Sequence, residues 1–196
     1  MTPYPVSVTI QPALENRNRL TTAFRLILAI PHLILVGDSG SGEGGLLGAV
    51  AVLLAIISWF TILFGGTHIA GIRQFSSFYL RWRVRAVAYV MLLTDEYPPF
   101  GDEPYPTGTT IVDPVGPRDT VSVALRLIFG IPHFIVLWIL MPVWCLLTIV
   151  TWFVIVITGD CPPGLAGFSV GMLRWVTRVQ AYMLLMVDEY PPFSFE

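Results

Sequence analysis

Arg25 and His32 stand seven residues apart in the otherwise apolar run Arg25-Leu-Ile-Leu-Ala-Ile-Pro-His32. Arg126 and His133 stand in the same relation in Arg126-Leu-Ile-Phe-Gly-Ile-Pro-His133. Seven residues return a helix to the same face, so each run presents a guanidinium and an imidazole along one stripe. Ionisable groups inside a membrane are costly and mark a functional site by default. Three kinds of chemistry fit these four residues. Two imidazoles, one from each run, suit the axial positions of a b-type haem. Arg and His in series suit a proton or ion path. The third role is structural: each Arg snorkels to the headgroups, and each His bonds a carbonyl freed by Pro31 or Pro132. The structural role is adopted here, and with it the expectation of no cofactor, no metal site and no catalytic residue. The chain carries no Ser-His-Asp order, no Cys/His metal spacing and no glycine-rich phosphate loop. On this ground it is read as no enzyme.

The elements that hold these residues come in two copies. Asp95-Glu-Tyr-Pro-Pro-Phe100 returns as Asp188-Glu-Tyr-Pro-Pro-Phe193, Ser58-Trp-Phe60 as Thr151-Trp-Phe153, and Arg81-Trp82 as Arg174-Trp175. Gly66 matches Gly159, Arg85 matches Arg178, and Tyr89 matches Tyr182. A repeat of this length is a whole structural module rather than a solenoid turn. The first repeat is assigned to 1–100 and the second to 101–196. The offset between copies falls from 101 at the Arg-to-His run to 93 at the closing motif, so the first repeat holds eight extra residues.

Composition places the module in a membrane. Of 196 residues 55% are hydrophobic and 12% charged, with a mean hydropathy of +0.72. Soluble domains carry about twice that charge fraction. The run 121–157 is long enough for two crossings of about 20 residues, and helices satisfy their own backbone groups in lipid. Transmembrane helices are therefore predicted over 19–36 and 46–64, with a glycine-rich loop over 37–45, and over 121–140 and 142–157, with Pro142 starting the last. The segment 4–10 alternates in strand fashion. The first ten residues lack a basic stretch followed by an apolar one, so no cleavable signal is expected. Cys145 and Cys161 do not make a disulfide framework. A net charge of −2 argues against a nucleic-acid partner.

The third segment of each repeat differs. Arg81, Arg85 and Tyr89 recur at helical spacing, as do Arg174, Arg178 and Tyr182, so amphipathic helices are predicted over 72–94 and 166–187. A basic stripe beside Trp82 or Trp175 suits a helix in the headgroup layer, with Arg81, Arg85, Arg174 and Arg178 as lipid contacts. All arginines then fall on one side, against Asp38 and Glu43 on the other, which is the positive-inside pattern. The fold class is thus an all-α membrane protein of two tandem repeats. Each is a transmembrane helical hairpin plus an interfacial amphipathic helix, preceded by a short extended segment, and both termini are cytoplasmic.

These residues resemble a bacterial membrane family, the domain of unknown function numbered 4389. The resemblance rests on an extended Tyr-Pro-Val start, Arg followed by Ile-Pro-His, Trp-Phe before a Thr-Gly turn, Leu-Arg-Trp with a following Arg and Ala-Tyr, and a closing Asp-x-Tyr-Pro-Pro-Phe. The second repeat departs at Asp160-Cys161, where the family has a basic–aromatic pair, and the first at Gly65-Gly66-Thr67-His68. The resemblance implies a multi-pass protein of a bacterial plasma membrane and brings no catalytic residues. The function expected is an accessory or scaffold component. Its partners are the bilayer, anionic lipid, and other membrane proteins or a second copy. The alternative is a small transporter, channel or haem-binding redox protein using Arg25/His32 and Arg126/His133.

Overall fold

A 33-residue helix decides the architecture. In the computed structural model, which describes residues 4–37, 44–114 and 116–196, α6 (Arg126–Thr158) runs without a break. Pro142 lies within it, so the two predicted spans over 121–140 and 142–157 are one helix. Proline removes one ladder hydrogen bond, and here that loss does not end the helix. The short α5 (Thr120–Ala124) precedes it, capped by Asp119, whose side chain accepts from the N–H groups of Val121 and Ser122.

The first repeat builds the same object in pieces. Short α1 (Arg19–Ala23), capped by Asn18, leads into α2 (Arg25–Val36) and α3 (Gly45–Gly65). Together α2 and α3 hold as many residues as α6 alone. Both ends are pinned to the second repeat, one to α6 and one to α5. Trp152 Nε1 donates to the Thr22 carbonyl at 2.9 Å, and Trp59 Nε1 donates to the Val123 carbonyl at 2.9 Å. At 1.5 Å per residue those pins lie about 40 Å apart along α6. The chain from Thr22 to Trp59 spans that distance only with α2 and α3 stacked end to end. A Cβ on Gly45 would come within 2.5 Å of the Gly37 nitrogen, so the chain leaves one helix and re-enters the next at nearly the same point. The predicted hairpin is therefore an interrupted rod, and α2, at 12 residues, is too short to cross a membrane alone. The eight extra residues of the first repeat are the interruption. Residues 38–43, with Asp38 and Glu43, lie outside the described residues. Where four spans were expected, α3 and α6 are the two helices among the described residues long and apolar enough to cross.

Each rod ends on a left-handed glycine, Gly66 (φ 68°) or Gly159 (φ 87°), whose N–H closes the last turn. The chain then reverses into α4 (Ala70–Val90) or α7 (Pro163–Met183), which packs antiparallel beneath its rod. Both are buried along most of their length. Each has protein on two faces. The rods pack on one face, and the strands β1 (Val6–Ile10) and β2 (Thr107–Ile111) cover the other. β1 packs on α7 and β2 on α4, each strand on the other repeat's helix. The two extended segments pair antiparallel, Val8 opposite Thr109. Those two residues hold the same place in their repeats, so a pseudo-twofold axis passes between them and relates the halves.

Burial follows one stripe on each rod. On α6 the inward residues are Arg126, Gly130, His133, Leu137, Trp144, Thr151 and Ile155, flanked by half-buried Val136, Leu140, Met141 and Trp152, and the outer circumference is apolar and exposed. Val8, Trp144, Met172, Leu173 and Trp175 form the centre of the largest core. Removing 37–44 should join Val36 to Gly45 as Leu137 joins Trp138 in α6. The expected outcome is an unchanged helical circular-dichroism spectrum in detergent and an equal or higher Tm, since a loop-closure cost is removed. A drop of more than about 4 °C, equivalent to over 1 kcal/mol, would count against a continuous rod.

Candidate functional site

Each repeat gathers two arginines and an aspartate at the amino end of its rod. Arg25 is 1% exposed. Its Nη2 donates to Asp95 Oδ1 at 2.6 Å and to Thr22 Oγ1, and its Nη1 donates to the carbonyls of Tyr89 and Thr94. The guanidinium carbon sits 4.2 Å over the Tyr89 ring centre. Arg17 approaches the same carboxylate, Nε to Oδ1 at 2.9 Å, and donates Nη1 to the carbonyls of Ala13 and Leu92. The second repeat reproduces this. Arg126 donates to Asp188 and to the carbonyls of Tyr182 and Val187, and lies 4.2 Å over the Tyr182 ring. Arg118 grips Asp188 with two bonds of 2.7 Å and reaches the Leu185 carbonyl.

The accepting carbonyls belong to the ends of α4 and α7. There the chain turns through a left-handed leucine, Leu92 (φ 64°) or Leu185 (φ 61°). Leu93 N–H returns to the Ala88 carbonyl and Met186 N–H to the Ala181 carbonyl, a Schellman-type closure. A side chain in this conformation costs roughly 1–2 kcal/mol, and the arginine bonds to the turn offset it. Arg25 and Arg126 thus turn inward to protein partners and do not snorkel. Arg17 and Arg118 complete the clamps unforeseen, although their recurrence at the same offset as Arg25 and Arg126 was the available signal.

The histidines lie two turns further along. Trp82 Nε1 donates to His32 Nδ1 at 3.0 Å, and Trp175 Nε1 to His133 Nδ1 at 3.2 Å. An accepting Nδ1 means a neutral ring with its proton on Nε2. Phe100 stacks on His32 at 4.4 Å and Phe193 on His133 at 4.0 Å, with Tyr97 and Tyr190 closing the boxes. The histidine partner is thus tryptophan rather than a proline-freed carbonyl, and the Leu28 carbonyl near Pro31 takes the Tyr97 hydroxyl. Each imidazole is fully buried in its own aromatic box, whose outer rings Phe100 and Phe193 keep an exposed face. The Asp-Glu-Tyr-Pro-Pro-Phe strap therefore fastens twice, by Asp to the arginines and by Tyr and Phe around the histidine.

The four arginines of the third segments also find protein partners. Arg81 binds Asp102 through Nε and Nη2 at 3.0 and 2.5 Å, and Arg85 reaches the Gly101 carbonyl at 2.6 Å. Arg174 donates to the Val8 carbonyl, and Arg178 to the carbonyls of Ser194 and Glu196. These bonds hold the returning chain against α4 and α7.

Two equivalent grooves open between the rods. One, of about 430 Å³, is lined by Val52, Ile56, Trp59 and Phe60 of α3 with Leu127 and Leu184. The other, of about 510 Å³, is lined by the matching Cys145, Ile149, Trp152 and Phe153 of α6 with Leu26 and Met91. Arg126 and Arg25 close their floors. Among the described residues no group of three or more His, Cys, Asp or Glu is placed to hold a metal.

These features define a duplicated helical module with two long apolar rods over an inward-facing set of clamps. The chain belongs to the family described as a domain of unknown function (DUF4389), matched over 19–101 and 120–194, once in each repeat. No curated protein and no solved structure matches it.

The clamps carry a pH signature. Burial pushes the Asp95 carboxyl up, but the bonds from Arg17, the Asn18 N–H and Arg25 more than reverse this and hold it below the usual range. Asp188 is likewise pushed up by burial and brought lower overall by Arg118, Arg126 and the Asp119 N–H. A carboxylate depressed in the folded state stabilises it above the unfolded pKa of about 3.9, and that stability is lost as pH falls below it. Thermal unfolding in detergent should therefore show Tm falling below about pH 4, with the fall blunted in an Asp95→Asn, Asp188→Asn double variant. Each substitution leaves guanidinium charge under-compensated. At neutral pH each should cost about 3 kcal/mol, the low end for breaking a buried pair, since the carboxylates keep some exposure. Separately, His133→Leu strands the Trp175 N–H and is expected to cost about 1–3 kcal/mol. His133→Gln retains an acceptor and should cost measurably less in the same melts.

Proposed function

We propose that this chain is a non-catalytic component of a bacterial plasma membrane, an accessory or scaffold module that binds anionic lipid and other membrane proteins, a second copy included. The observation that supports this reading is the partition of its surface. The exposed large apolar side chains crowd onto α1–α3 and α5–α6, Leu53, Phe64, Leu127, Trp138 and Ile157 among them, and none lies on α4 or α7. Burying such a continuous belt is strongly favourable at about 25 cal/mol per Å², and a belt of this size marks a membrane or protein partner. The grooves between the rods open onto it and fit acyl chains better than a polar substrate.

The transporter and haem alternatives need an open polar path or a free imidazole. Arg25, His32, Arg126 and His133 are instead buried and committed to the clamps and boxes. Tyr4 donates to the Glu189 carbonyl, so the beginning and end of the chain share one side. The one-sided arginines favour the cytoplasm for that side. The full chain should stay with bacterial membranes through high-salt and alkaline carbonate washes, and leave in mild detergent carrying anionic phospholipid detectable by mass spectrometry. Recovery in the soluble fraction, or release by carbonate, would overturn the reading.

A further inference from the structure

Granting the membrane-bound reading above, we infer that the two rods lie flat in one leaflet, with the pseudo-twofold axis along the membrane normal, so that the module enters the bilayer without crossing it. The orientation follows from what the axis passes through. It runs between Val8 and Thr109 at the centre of the ladder and perpendicular to the ladder's strands. It continues between α4 and α7 and emerges between the rods, which run antiparallel because each one's carboxyl half is pinned to the other's amino end.

Only two placements of such an object are consistent with helices in lipid. If the rods stood across the bilayer, the axis would lie in the membrane plane. The ladder would then sit at mid-depth on a lipid-facing flank. Ser7, Thr9 and Thr110 expose their side chains there, and a two-stranded ladder has two outer edges. Exposed strand edges do not occur in the hydrocarbon region, where water is absent to satisfy them. The two arginine clamps, at opposite ends of the molecule, would also fall on opposite sides of the membrane, against the positive-inside rule. A rod of 33 residues is about 50 Å long, whereas the hydrocarbon core is about 30 Å thick. Matching the two needs a tilt of roughly 50°, beyond the usual limit of about 40°.

Laid flat, every one of these conflicts disappears. The apolar flanks of both rods face one leaflet, the ladder and the Arg81–Asp102 pair face water, and both clamps share the cytoplasmic side. The rod length then needs no match to bilayer thickness. The glycine caps at Gly66 and Gly159 return the chain upward to α4 and α7 rather than across.

The test uses the full chain with Cys145→Ala and Cys161→Ala, checked first for carbonate-resistant recovery with membranes. Single cysteines are then introduced as Ser7→Cys on the ladder, Glu15→Cys at one end of the rods and Thr67→Cys at the other. An impermeant maleimide is applied to sealed inverted vesicles and, separately, to spheroplasts. The flat orientation expects all three to label in inverted vesicles and none in spheroplasts. Labelling of positions 15 and 67 from opposite sides establishes a crossing and overturns the inference, while leaving membrane binding intact. Release of the chain by carbonate before labelling instead fails the membrane-bound reading itself.

Discussion

A guanidinium removed from water must be neutralised and given hydrogen-bond acceptors, and this requirement shapes each half of the molecule. Arg25 and Arg126 are almost wholly buried, and a buried charge lacking a partner costs several kcal/mol. The chain serves the two terminal nitrogens of each group, Nε being left without an acceptor, and does so from three directions at once. The strap supplies Asp95 or Asp188, the end of α4 or α7 supplies carbonyls, and Tyr89 or Tyr182 supplies a ring face. Satisfying one side chain therefore fixes where the rod, the inner helix and the strap meet. The left-handed turns at Leu92 and Leu185 sit at that junction, because only a reversed chain presents its carbonyls to the arginines.

Around that constraint the sequence divides into surfaces with different work. The stripe through Gly130, His133, Leu137 and Trp144 packs inward, while the outer part of the rod circumference is left apolar and uncovered. The inner helices gain cover on both sides and so tolerate arginines within a largely buried element. Arg85 and Arg178 reach carbonyls only 16 residues away in sequence, which means the chain following each strap doubles back along the helix it has just left.

Much of this is written locally and was legible. The duplication, the apolar stretches that become the rods and the strand-like alternation at 4–10 all depend on short-range pattern. The end of each inner helix does not, since left-handed Leu92 and Leu185 stop it before the prolines are reached. What was not legible depends on assembly. The glycine-rich stretch at 37–45 and Pro142 both read as helix breaks, yet α2 stacks on α3 and α6 runs through, because the opposite repeat holds each rod at both ends. Arg81 and Arg174 at helical spacing read as a wet stripe because their partners, Asp102 and the Val8 carbonyl, lie on other elements. Likewise the residue partnering His32 is Trp82, fifty positions on, which no spacing rule connects. The family match over both repeats agrees with the duplication and is silent on these contacts.

The exchange between halves has a consequence of its own. Each repeat lends a strand to the other's inner helix, and each offers an indole N–H to a carbonyl at the start of the other's rod. This is the reciprocal pattern of an isologous interface, in which the same patch serves both partners. The chain that joins the repeats adds contacts of its own to that pattern, Asp102 to Arg81 and Asp113 to Arg73. It raises the effective concentration of one half for the other and frees the two to diverge, so that a single copy can carry the interruption between Gly37 and Gly44 without imposing it twice.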